Sequence, residues 1–244
     1  MIFSKFAQFY DELFDPAMYQ KWLDFVLTNS KPEDRLIDLA CGTGRLIVSL
    51  AKLGYHTTGL DFSDDMLSIA EQHAIDNNVS PFLIQGNMLD LSNLDQYSII
   101  TCFDDSLCYL KNQKELLRAF LEVYQHLSDH GVYLFDVISP YQTDVVYPGY
   151  MYNYHDKNRA FMWQSYEGDK PHSVEHDLTF FYYNYEKDAY DEYSELHHER
   201  TYDLNIYIQL LKKAGFNQIS ATADFGKSKI NKTTTRYFFK CKKD

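Results

Sequence analysis

Apolar residues in the first 140 positions recur in two arrangements, as short continuous runs and as stripes at helical spacing. The runs are typical of buried strands and occupy residues 35–40, 56–61, 81–86, 97–103 and 132–138. The stripes predict helices over residues 3–14, 16–26, 45–53 and 114–127, with another beginning after the capping residue Ser63. Apolar strands that alternate with helices predict an α/β fold with a parallel sheet covered on both faces.

The pattern changes after Pro140. Residues 141–202 are rich in tyrosine and alternate between apolar and polar positions, which is typical of antiparallel strands. A helix is predicted over residues 204–215, and two further strands are predicted within residues 216–225 and 234–242. We therefore predict one α/β domain, residues 1–140 and 203–244, with an inserted β-rich lobe formed by residues 141–202.

The charge balance is strongly acidic, with 23 basic and 35 acidic residues and a net charge of −12. Such a surface repels phosphate backbones, so nucleic acid is not an expected partner. One group of lysines near the carboxyl end runs against this balance, and we interpret it as solubilising charge: Lys227, Lys229, Lys232, Lys240, Lys242 and Lys243.

Cysteine use and hydropathy indicate a cytoplasmic protein without a membrane partner. The four cysteines show no C-x-x-C pair and no zinc spacing, and His172 and His176 lack a third ligand, so no metal site is expected. No apolar run reaches the roughly 20 residues that a membrane-spanning helix needs. The aromatic amino-terminal stretch is interrupted by polar residues, unlike a signal peptide.

The stretch LIDLACGTGRL, residues 36–46, carries the strongest chemical signal. A glycine turn between a strand and a helix, at the carboxyl end of a parallel sheet, holds either a pyrophosphate or a nucleoside without phosphate. The dinucleotide motif G-x-G-x-x-G is incomplete here, because Ile47 stands where the third glycine is needed. A second acid after Asp38, Asp61, ends the next strand, where a carboxylate can accept both hydroxyls of a ribose.

Four motifs in this order resemble those of class I S-adenosylmethionine-dependent methyltransferases: DLACGTG, GLDFSDDML, QGNMLDL and TCFDDSLCYL. The chain is most similar to the small bacterial group with an inserted β lobe, related in plan to glycine N-methyltransferase. The stretches FAQFYDELFD…YQKW and HHERTY extend the resemblance over nearly the whole chain. It implies a Rossmann-like doubly wound sheet, mostly parallel with an antiparallel last strand, N-terminal helices over the cofactor site, and S-adenosylmethionine as the cofactor.

The resemblance also implies cofactor contacts residue by residue. Around the methionine portion it places Asp38, Ala40, Cys41, Gly42 and Asp104, with Gly44 at the start of the following helix. Around the adenosine it places Asp61 on the ribose hydroxyls, and Phe62, Met66, Asn87 and Met88 on the adenine. Over the closed site it places Tyr10, Tyr19 and Trp22. Two positions depart from the family pattern, Ala40 standing for a glycine and Asn87 for an aspartate, and the second change removes a charge from the adenine contact.

Candidates for chemistry at the methyl acceptor lie in two places. On the loop after the fourth strand they are Asp105, Ser106, Cys108 and Tyr109. In an alternating strand His197 and Glu199 share one face and Arg200 lies on the other, with His197 a candidate base and Arg200 a candidate clamp for a carboxylate. A surface histidine and an Arg–Glu ion pair on a lobe strand would explain the same residues without chemistry.

The tyrosine-rich lobe favours a small amphipathic methyl acceptor, because tyrosine combines contact area with a polar tip. The same residues could form the core of the lobe or a homodimer interface. Three other functions stay open at this point. The lysines near the carboxyl end would suit a methyltransferase for tRNA or protein. The bare G-x-G would suit an NAD-dependent oxidoreductase, and the lack of a clear base would suit a non-catalytic nucleoside-binding regulator.

Overall fold

Eleven strands form two sheets in the part of the chain that the computed structural model describes, which is residue 11 and residues 16–244. In chain order the strands are β1 (Arg35–Leu39), β2 (His56–Asp61), β3 (Phe82–Gln85), β4 (Tyr97–Cys102), β5 (Leu127–Ile138), β6 (Met151–His155), β7 (Arg159–Glu167), β8 (Ser173–Asn184), β9 (Ala189–Arg200), β10 (Gln218–Thr222) and β11 (Arg236–Lys242). The larger sheet has the order β10-β11-β5-β4-β1-β2-β3, and the smaller one has the order β6-β7-β8-β9.

The larger sheet is parallel except at one strand. β1 pairs in parallel with β2 and β4, whereas β11 runs antiparallel to both of its neighbours, β5 and β10. Successive residues of β1 point to opposite faces of a sheet, yet Leu36 and Ile37 are both fully buried. Both faces are therefore covered, and the predicted Rossmann-like sheet with an antiparallel last strand is confirmed.

Five α-helices lie within residues 16–244: α1 (Pro16–Leu27), α2 (Arg45–Lys52), α3 (Asp64–Asp76), α4 (Gln113–His126) and α5 (Leu204–Ala214). The Ser63 hydroxyl caps α3, as predicted, and Gly215 ends α5 with a φ of 119°. The Asn112 side chain accepts two backbone N–H groups of the first turn of α4, a cap that the apolar periodicity did not reveal. None of these helices is long and apolar enough to cross a bilayer. The helix predicted over residues 3–14 lies outside the described residues, apart from Asp11.

Two strand boundaries differ from the prediction. β5 begins at Leu127 and not at residue 132, because α4 runs directly into the strand and Leu127 already pairs with Tyr97 of β4. β10 covers Gln218–Thr222 rather than residues 216–225. It ends there because Ala223 and Ser228 close a turn, each donating its N–H to the carbonyl of the other.

The smaller sheet lies in the β lobe, between β5 and α5 in the chain, and its antiparallel pairing confirms the alternation seen in the sequence. One face, called the inward face below, holds a buried apolar group of Phe161, Leu178 and Phe180. The opposite, outward face is open to solvent, and Leu196 on it is 55% exposed. The strands therefore alternate between a packed and a solvated side, as antiparallel sheets commonly do.

Candidate active site

Three residues of the turn between β1 and α2 have left-handed backbone conformations. Ala40, Gly42 and Gly44 have positive φ angles of 56°, 54° and 74°. At Gly44 an added Cβ would lie 2.7 Å from the Cβ of Ala70, so this glycine lets α2 pack closely against α3. At Gly42 an added Cβ would meet no atom of the described residues within 4 Å. The second glycine of the motif therefore serves packing, and the first leaves open space beside the backbone.

Asp61 lies beside this turn, at the carboxyl end of β2. Its Oδ2 accepts the N–H of Gly42 at 2.8 Å, and its Oδ1 accepts the N–H of Ser63 at 2.8 Å. The residue is 9% exposed, and burial raises the pKa of its carboxyl although the backbone hydrogen bonds oppose that rise. A carboxylate has about four lone-pair positions, so both oxygens can still accept a hydrogen bond from a ligand.

Asp38 lies within β1, one strand away from Asp61. Its Oδ1 accepts the hydroxyl of Thr101 at 2.5 Å, and the residue is 4% exposed. Burial raises the pKa of its carboxyl to about 7, and the charges of Asp61 and Asp136 act in the same direction, against the hydrogen bond from Thr101. A positive charge placed beside Asp38 would favour its ionised form.

The two buried carboxyls determine which ligand fits the turn. A pyrophosphate would bring its negative charges close to Asp38 and Asp61, which already repel each other. A nucleoside without phosphate offers ribose hydroxyls as donors to Asp61, and a positive charge on it would be attracted by both acids. The residues present therefore fit a cationic nucleoside such as S-adenosylmethionine better than a dinucleotide.

Cys41 takes part in the turn through its backbone. Its side chain points into the sheet, because a Cβ added at Gly59 of β2 would lie 2.8 Å from its Sγ. Burial raises the pKa of the Cys41 thiol well above its ordinary value. All four cysteines of the chain are buried free thiols: Cys41, Cys102, Cys108 and Cys241. The predicted approach of Cys41 to a ligand therefore depends on its main chain.

The predicted adenine residues lie on two neighbouring loops. Phe62 is 78% exposed and directly follows Asp61, and Met66 lies in the first turn of α3. The Oδ1 of Asn87 accepts the N–H of Leu89 at 2.9 Å, so one lone pair of the proposed adenine acceptor is used within its own loop. Met88 packs against the main core. An adenine contact by these residues stays a prediction.

Asp11 forms a charged network beside the turn, and the sequence analysis did not select it. Its carboxylate accepts the hydroxyl of Thr43 at 2.6 Å and the Nε–H of Arg45 at 2.6 Å, and lies 3.1 Å from Nε2 of His73. Burial alone would raise the pKa of Asp11, but the hydrogen bonds from His73, Arg45 and Thr43 hold it well below its ordinary value. The network joins Asp11 to the turn and to the helices α2 and α3 that carry Arg45 and His73. Tyr10 lies outside the described residues.

Tyr19 and Trp22 both lie in α1 but have different surroundings. Trp22 is 1% exposed and donates its indole N–H to Oδ2 of Asp136 at 2.6 Å. This placement departs from the expectation of a cofactor contact, because the indole ring is enclosed by the core. Tyr19 is partly exposed, and burial together with the charge of Asp104 raises the pKa of its hydroxyl. Tyr19 thus lies within reach of the charge of Asp104, which follows β4, and its contact with the cofactor stays a prediction.

Arg236, at the start of β11, is a second residue that the sequence analysis missed. Its Nη2 lies 2.7 Å from Oδ2 of Asp105, its Nη1 lies 3.0 Å from Oδ1 of Asp136, and Asp104 is 4.0 Å away. The N–H of Asp105 also donates to Asp136 at 2.9 Å. Burial raises the pKa of the Asp105 carboxyl, against the charge of Arg236. The ion pair binds Asp105 to the frame of the sheet, and its predicted catalytic role stays a prediction.

The loop after β4 meets the inward face of β9. The hydroxyl of Tyr109 lies 3.0 Å from Nδ1 of His197, and Nε2 of His197 lies 2.8 Å from Oε2 of Glu195. Glu199 lies on the same face and is 7% exposed, in agreement with the predicted alternation. The structure therefore brings together Tyr109 and His197, one candidate from each of the two places predicted for chemistry at the methyl acceptor.

The other residues predicted for chemistry at the methyl acceptor make different contacts. Arg200 lies on the opposite face of β9, where its Nε–H donates to the carbonyl of Pro171 at 3.3 Å. That face is turned away from His197, so Arg236 and not Arg200 is the cation beside the loop after β4. The hydroxyl of Ser106 donates to the carbonyl of its own turn, and Cys108 is 1% exposed. These placements give neither residue a free polar atom toward the lobe.

Two further features of the described residues bear on where the site lies. No group of three or more His, Cys, Asp or Glu side chains in residues 11 and 16–244 could hold a metal ion. A surface cavity of about 590 Å³ lies at the amino ends of the strands and includes Arg35, His56 and Tyr97. It contains neither Asp38 nor Asp61, and strand order places ligands of such sheets at the opposite, carboxyl ends.

Known proteins resemble this chain over its whole length. A family described as a methyltransferase domain matches residues 36–131. A protein of Geobacillus sp. (strain WCH70), named as a methyltransferase, is 37% identical over 100% of both chains. The crystal structure of an S-adenosylmethionine-dependent methyltransferase from Clostridium acetobutylicum is 30% identical, covers 99% of this chain and 98% of its own, and has a TM-score of 0.85.

One shorter match concerns a protein with a named substrate. The dTDP-3-amino-3,4,6-trideoxy-alpha-D-glucopyranose N,N-dimethyltransferase of Streptomyces venezuelae is 33% identical over 109 residues. These residues are 45% of this chain and 44% of the relative.

Proposed function

Because the chain belongs to the class I S-adenosylmethionine-dependent methyltransferases, we propose that it binds S-adenosylmethionine and methylates a small molecule. The observation that carries the proposal is the buried carboxylate of Asp61, held against the glycine turn by the N–H groups of Gly42 and Ser63. This acid is oriented before any ligand arrives, and it has acceptor positions left for two ribose hydroxyls. An oriented group loses little entropy on binding.

Bound S-adenosylmethionine supplies a methyl group on a positively charged sulfur. The carbon of this methyl group is an electrophile without further activation. The protein's part is then to hold the reactants in line and to exclude water, for which well-oriented reactants are worth about 7–11 kcal/mol. In our proposal Asp61 holds the sugar, and Asp38 and Asp104 face the charged amino-acid end. The open space at Gly42 admits the part of S-adenosylmethionine that joins its sugar to its amino-acid end.

Two features support a small-molecule acceptor. The acidic surface, with a net charge of −12, disfavours a nucleic acid substrate. The inward face of the β lobe carries aromatic and polar side chains next to the loop after β4, which suits a small polar molecule. The Streptomyces relative is named for methylation of a sugar amine, and we propose a similarly small acceptor here.

Isothermal titration of the protein with S-adenosylmethionine tests the cofactor. We expect binding by the wild type and a loss of at least about 100-fold in affinity for Asp61→Ala, because hydrogen bonds to a charged group are worth about 1.5–3 kcal/mol each. Asp64→Ala, which removes an exposed acid three positions further on, is the matched control and should bind normally. Equal affinities for the three proteins, or no binding by the wild type, would contradict the proposal.

We also propose that the protein acts in the cytoplasm and forms a homodimer through the β lobe. The outward face of the lobe exposes apolar side chains, with Leu196 at 55% and Met162 at 39%. Light scattering after size exclusion gives the mass of the particle, and Leu196→Asp should convert a dimer to a monomer. A wild type that is already a monomer at micromolar concentration contradicts the dimer.

A further inference from the structure

Five polar side chains gather where the inward face of the β lobe meets the loop after β4. We call them the lobe polar cluster: Tyr109, His176, Glu195, His197 and Glu199. His176 of β8 lies directly opposite His197 of β9 in the sheet register, and Glu199 lies two residues further along the same strand. The loop that contributes Tyr109 begins with Asp104, which we place at the amino-acid end of the cofactor. The cluster therefore lies next to the proposed cofactor site.

Three buried atoms of the cluster have no hydrogen-bond partner among the described residues. They are Nε2 of His176, Oε1 of Glu195 and Oε2 of Glu199. Glu199 is 7% exposed and His176 is 3% exposed, and the shortest distance between them, from Oε1 to Nε2, is 3.7 Å. This distance is too long for a hydrogen bond. Buried polar atoms are nearly always paired, so several unpaired ones at one place point to a polar ligand.

His176 offers a donor to this ligand. Its Nδ1 accepts the indole N–H of Trp163 at 3.1 Å, which places the ring proton on Nε2. Burial, and then the neighbouring His197, lower the pKa of His176 to about 4, so the ring is neutral. The cluster thus presents one N–H donor, from His176, beside the acceptor oxygens of Glu195 and Glu199.

The charges around Glu199 favour a ligand that forms a cation. Tyr109 and the acids Asp104 and Asp105 face it from the loop after β4, and His176 faces it from β8. The buried cation Arg236 is already paired with Asp105 and Asp136 at the carboxyl end of the larger sheet. Burial, with the charge of Asp105, raises the pKa of Glu199 well above its ordinary value, against a hydrogen bond from Tyr109. Such a carboxyl ionises most readily beside a positive charge.

We infer, on the basis of the proposed function, that the lobe polar cluster binds the methyl acceptor, that this acceptor is a primary amine with a neighbouring oxygen, and that Glu199 is its general base. The ammonium group of the acceptor donates to Glu199 and Glu195, and its oxygen accepts the N–H of His176. A proton passes from the ammonium nitrogen to Oε2 of Glu199 and frees the nitrogen lone pair.

Methyl transfer then proceeds by in-line displacement at the methyl carbon. The nitrogen lone pair forms the new bond to the methyl carbon, and the bond from that carbon to sulfur breaks with its electron pair left on sulfur. The positive charge of the sulfonium thereby passes to the methylated ammonium. Glu199 returns its proton to water when the product leaves, so each turnover releases one proton. No oxidant, metal ion or other reactant is needed.

Release of S-adenosylhomocysteine is the direct test, with 2-aminoethanol, 3-aminopropanol and glucosamine as probes. Each amine has a matched control in which a hydroxyl replaces the amine, namely ethylene glycol, 1,3-propanediol and glucose. We expect turnover with at least one amine and none with the hydroxyl analogues. Glu199→Gln should lower kcat at least about 100-fold and remove the fall in kcat on the acid side, the range of general-base contributions being about 10²–10⁴.

The controls separate this inference from the proposed function. Glu192→Gln, on the outward face of the same strand, should behave as the wild type. Glu199→Gln should bind S-adenosylmethionine with unchanged affinity, since no cofactor contact is assigned to Glu199. Cofactor binding without turnover of any amine, turnover of the hydroxyl analogues alone, or an unchanged kcat in Glu199→Gln overturns the inference and leaves the proposed function standing. No cofactor binding by the wild type defeats both.

Discussion

Buried acids have different partners in two regions, the carboxyl end of the larger sheet, called the sheet end below, and the β lobe. At the sheet end Asp61 accepts two backbone N–H groups, and Asp105 and Asp136 share the guanidinium of Arg236. In the lobe Glu199 is equally buried, yet one of its oxygens has no partner among the described residues. The first arrangement is held in place by partners within the protein, and the second is completed by what binds. Stability and binding should therefore respond differently to mutation in the two regions.

Arg236→Met should produce the largest change. The variant leaves Asp105 and Asp136 buried without their shared cation, and breaking a buried ion pair in this way costs about 3–5 kcal/mol. Urea denaturation at neutral pH measures the loss in free energy of unfolding. Adding Asp105→Asn to Arg236→Met should restore part of that loss, because one uncompensated charge is removed. A loss below 1 kcal/mol would mean that the sheet end does not depend on this pair.

The two glycines of the turn should separate packing from ligand space. Gly44→Ala should destabilise the protein by about 2–5 kcal/mol, since overpacking adds about 1–3 kcal/mol and a left-handed backbone about 1–2 kcal/mol. Gly42→Ala incurs the backbone strain alone, about 1–2 kcal/mol, because its Cβ would meet no atom of residues 11 and 16–244 within 4 Å. The second variant should instead weaken S-adenosylmethionine binding. Thermal denaturation and calorimetry on both proteins check the contrast, and equal losses of stability would refute it.

Asp38 should make cofactor binding depend on pH. Its carboxyl has a raised pKa of about 7, and a bound positive charge would favour the ionised form. The affinity for S-adenosylmethionine should therefore fall by up to about tenfold for each pH unit below 7, with proton release on binding. Calorimetry in buffers of different ionisation enthalpy counts the proton. Asp38→Asn should bind more weakly and show a flatter dependence, and an equally steep dependence in this variant would assign the proton elsewhere.

Glu199→Gln should give the smallest effect on stability, with the opposite sign. The folded protein raises the pKa of this carboxyl above its unfolded value of about 4.3. Its favourable contribution to the free energy of unfolding is therefore full below that pH and is lost as the pH rises through the folded pKa. The variant should thus be more stable than the wild type by about 1 kcal/mol at pH 8, with the gain shrinking toward pH 4. Denaturant titrations at both pH values measure it, and Glu192→Gln is the control.

Much of the sheet end could be predicted because its signals are local. Parallel strands end at the same edge of a sheet, so the order of Asp38, the glycine turn and Asp61 along the chain already places the two acids together. Arg236 and Asp11 could not be found in this way. Their partners, Asp105 and Arg45, are 131 and 34 positions away. Such contacts depend on how residues far apart in the chain pack together, and this leaves no periodic pattern in the sequence.

The β lobe was predicted in part, for a different reason. Alternation correctly separates His197 and Glu199 from Arg200, because side chains of a strand point to opposite faces. A period of two is symmetric, however, and does not tell which face points inward. The pairing of β8 with β9 decides that His176 lies opposite His197, and no pattern within either strand encodes that pairing. His176 was therefore considered only as half of a metal site.

The burial of all four native thiols makes the protein convenient for site-specific labelling. Cys41, the most accessible of them, is only 9% exposed, and buried cysteines react slowly with thiol reagents. A pair of introduced cysteines, such as Ser194→Cys on the lobe and Lys111→Cys before α4, would carry a donor and an acceptor dye without the removal of any native cysteine. Energy transfer between the dyes would then report the distance between the lobe and the start of α4 with and without added S-adenosylmethionine.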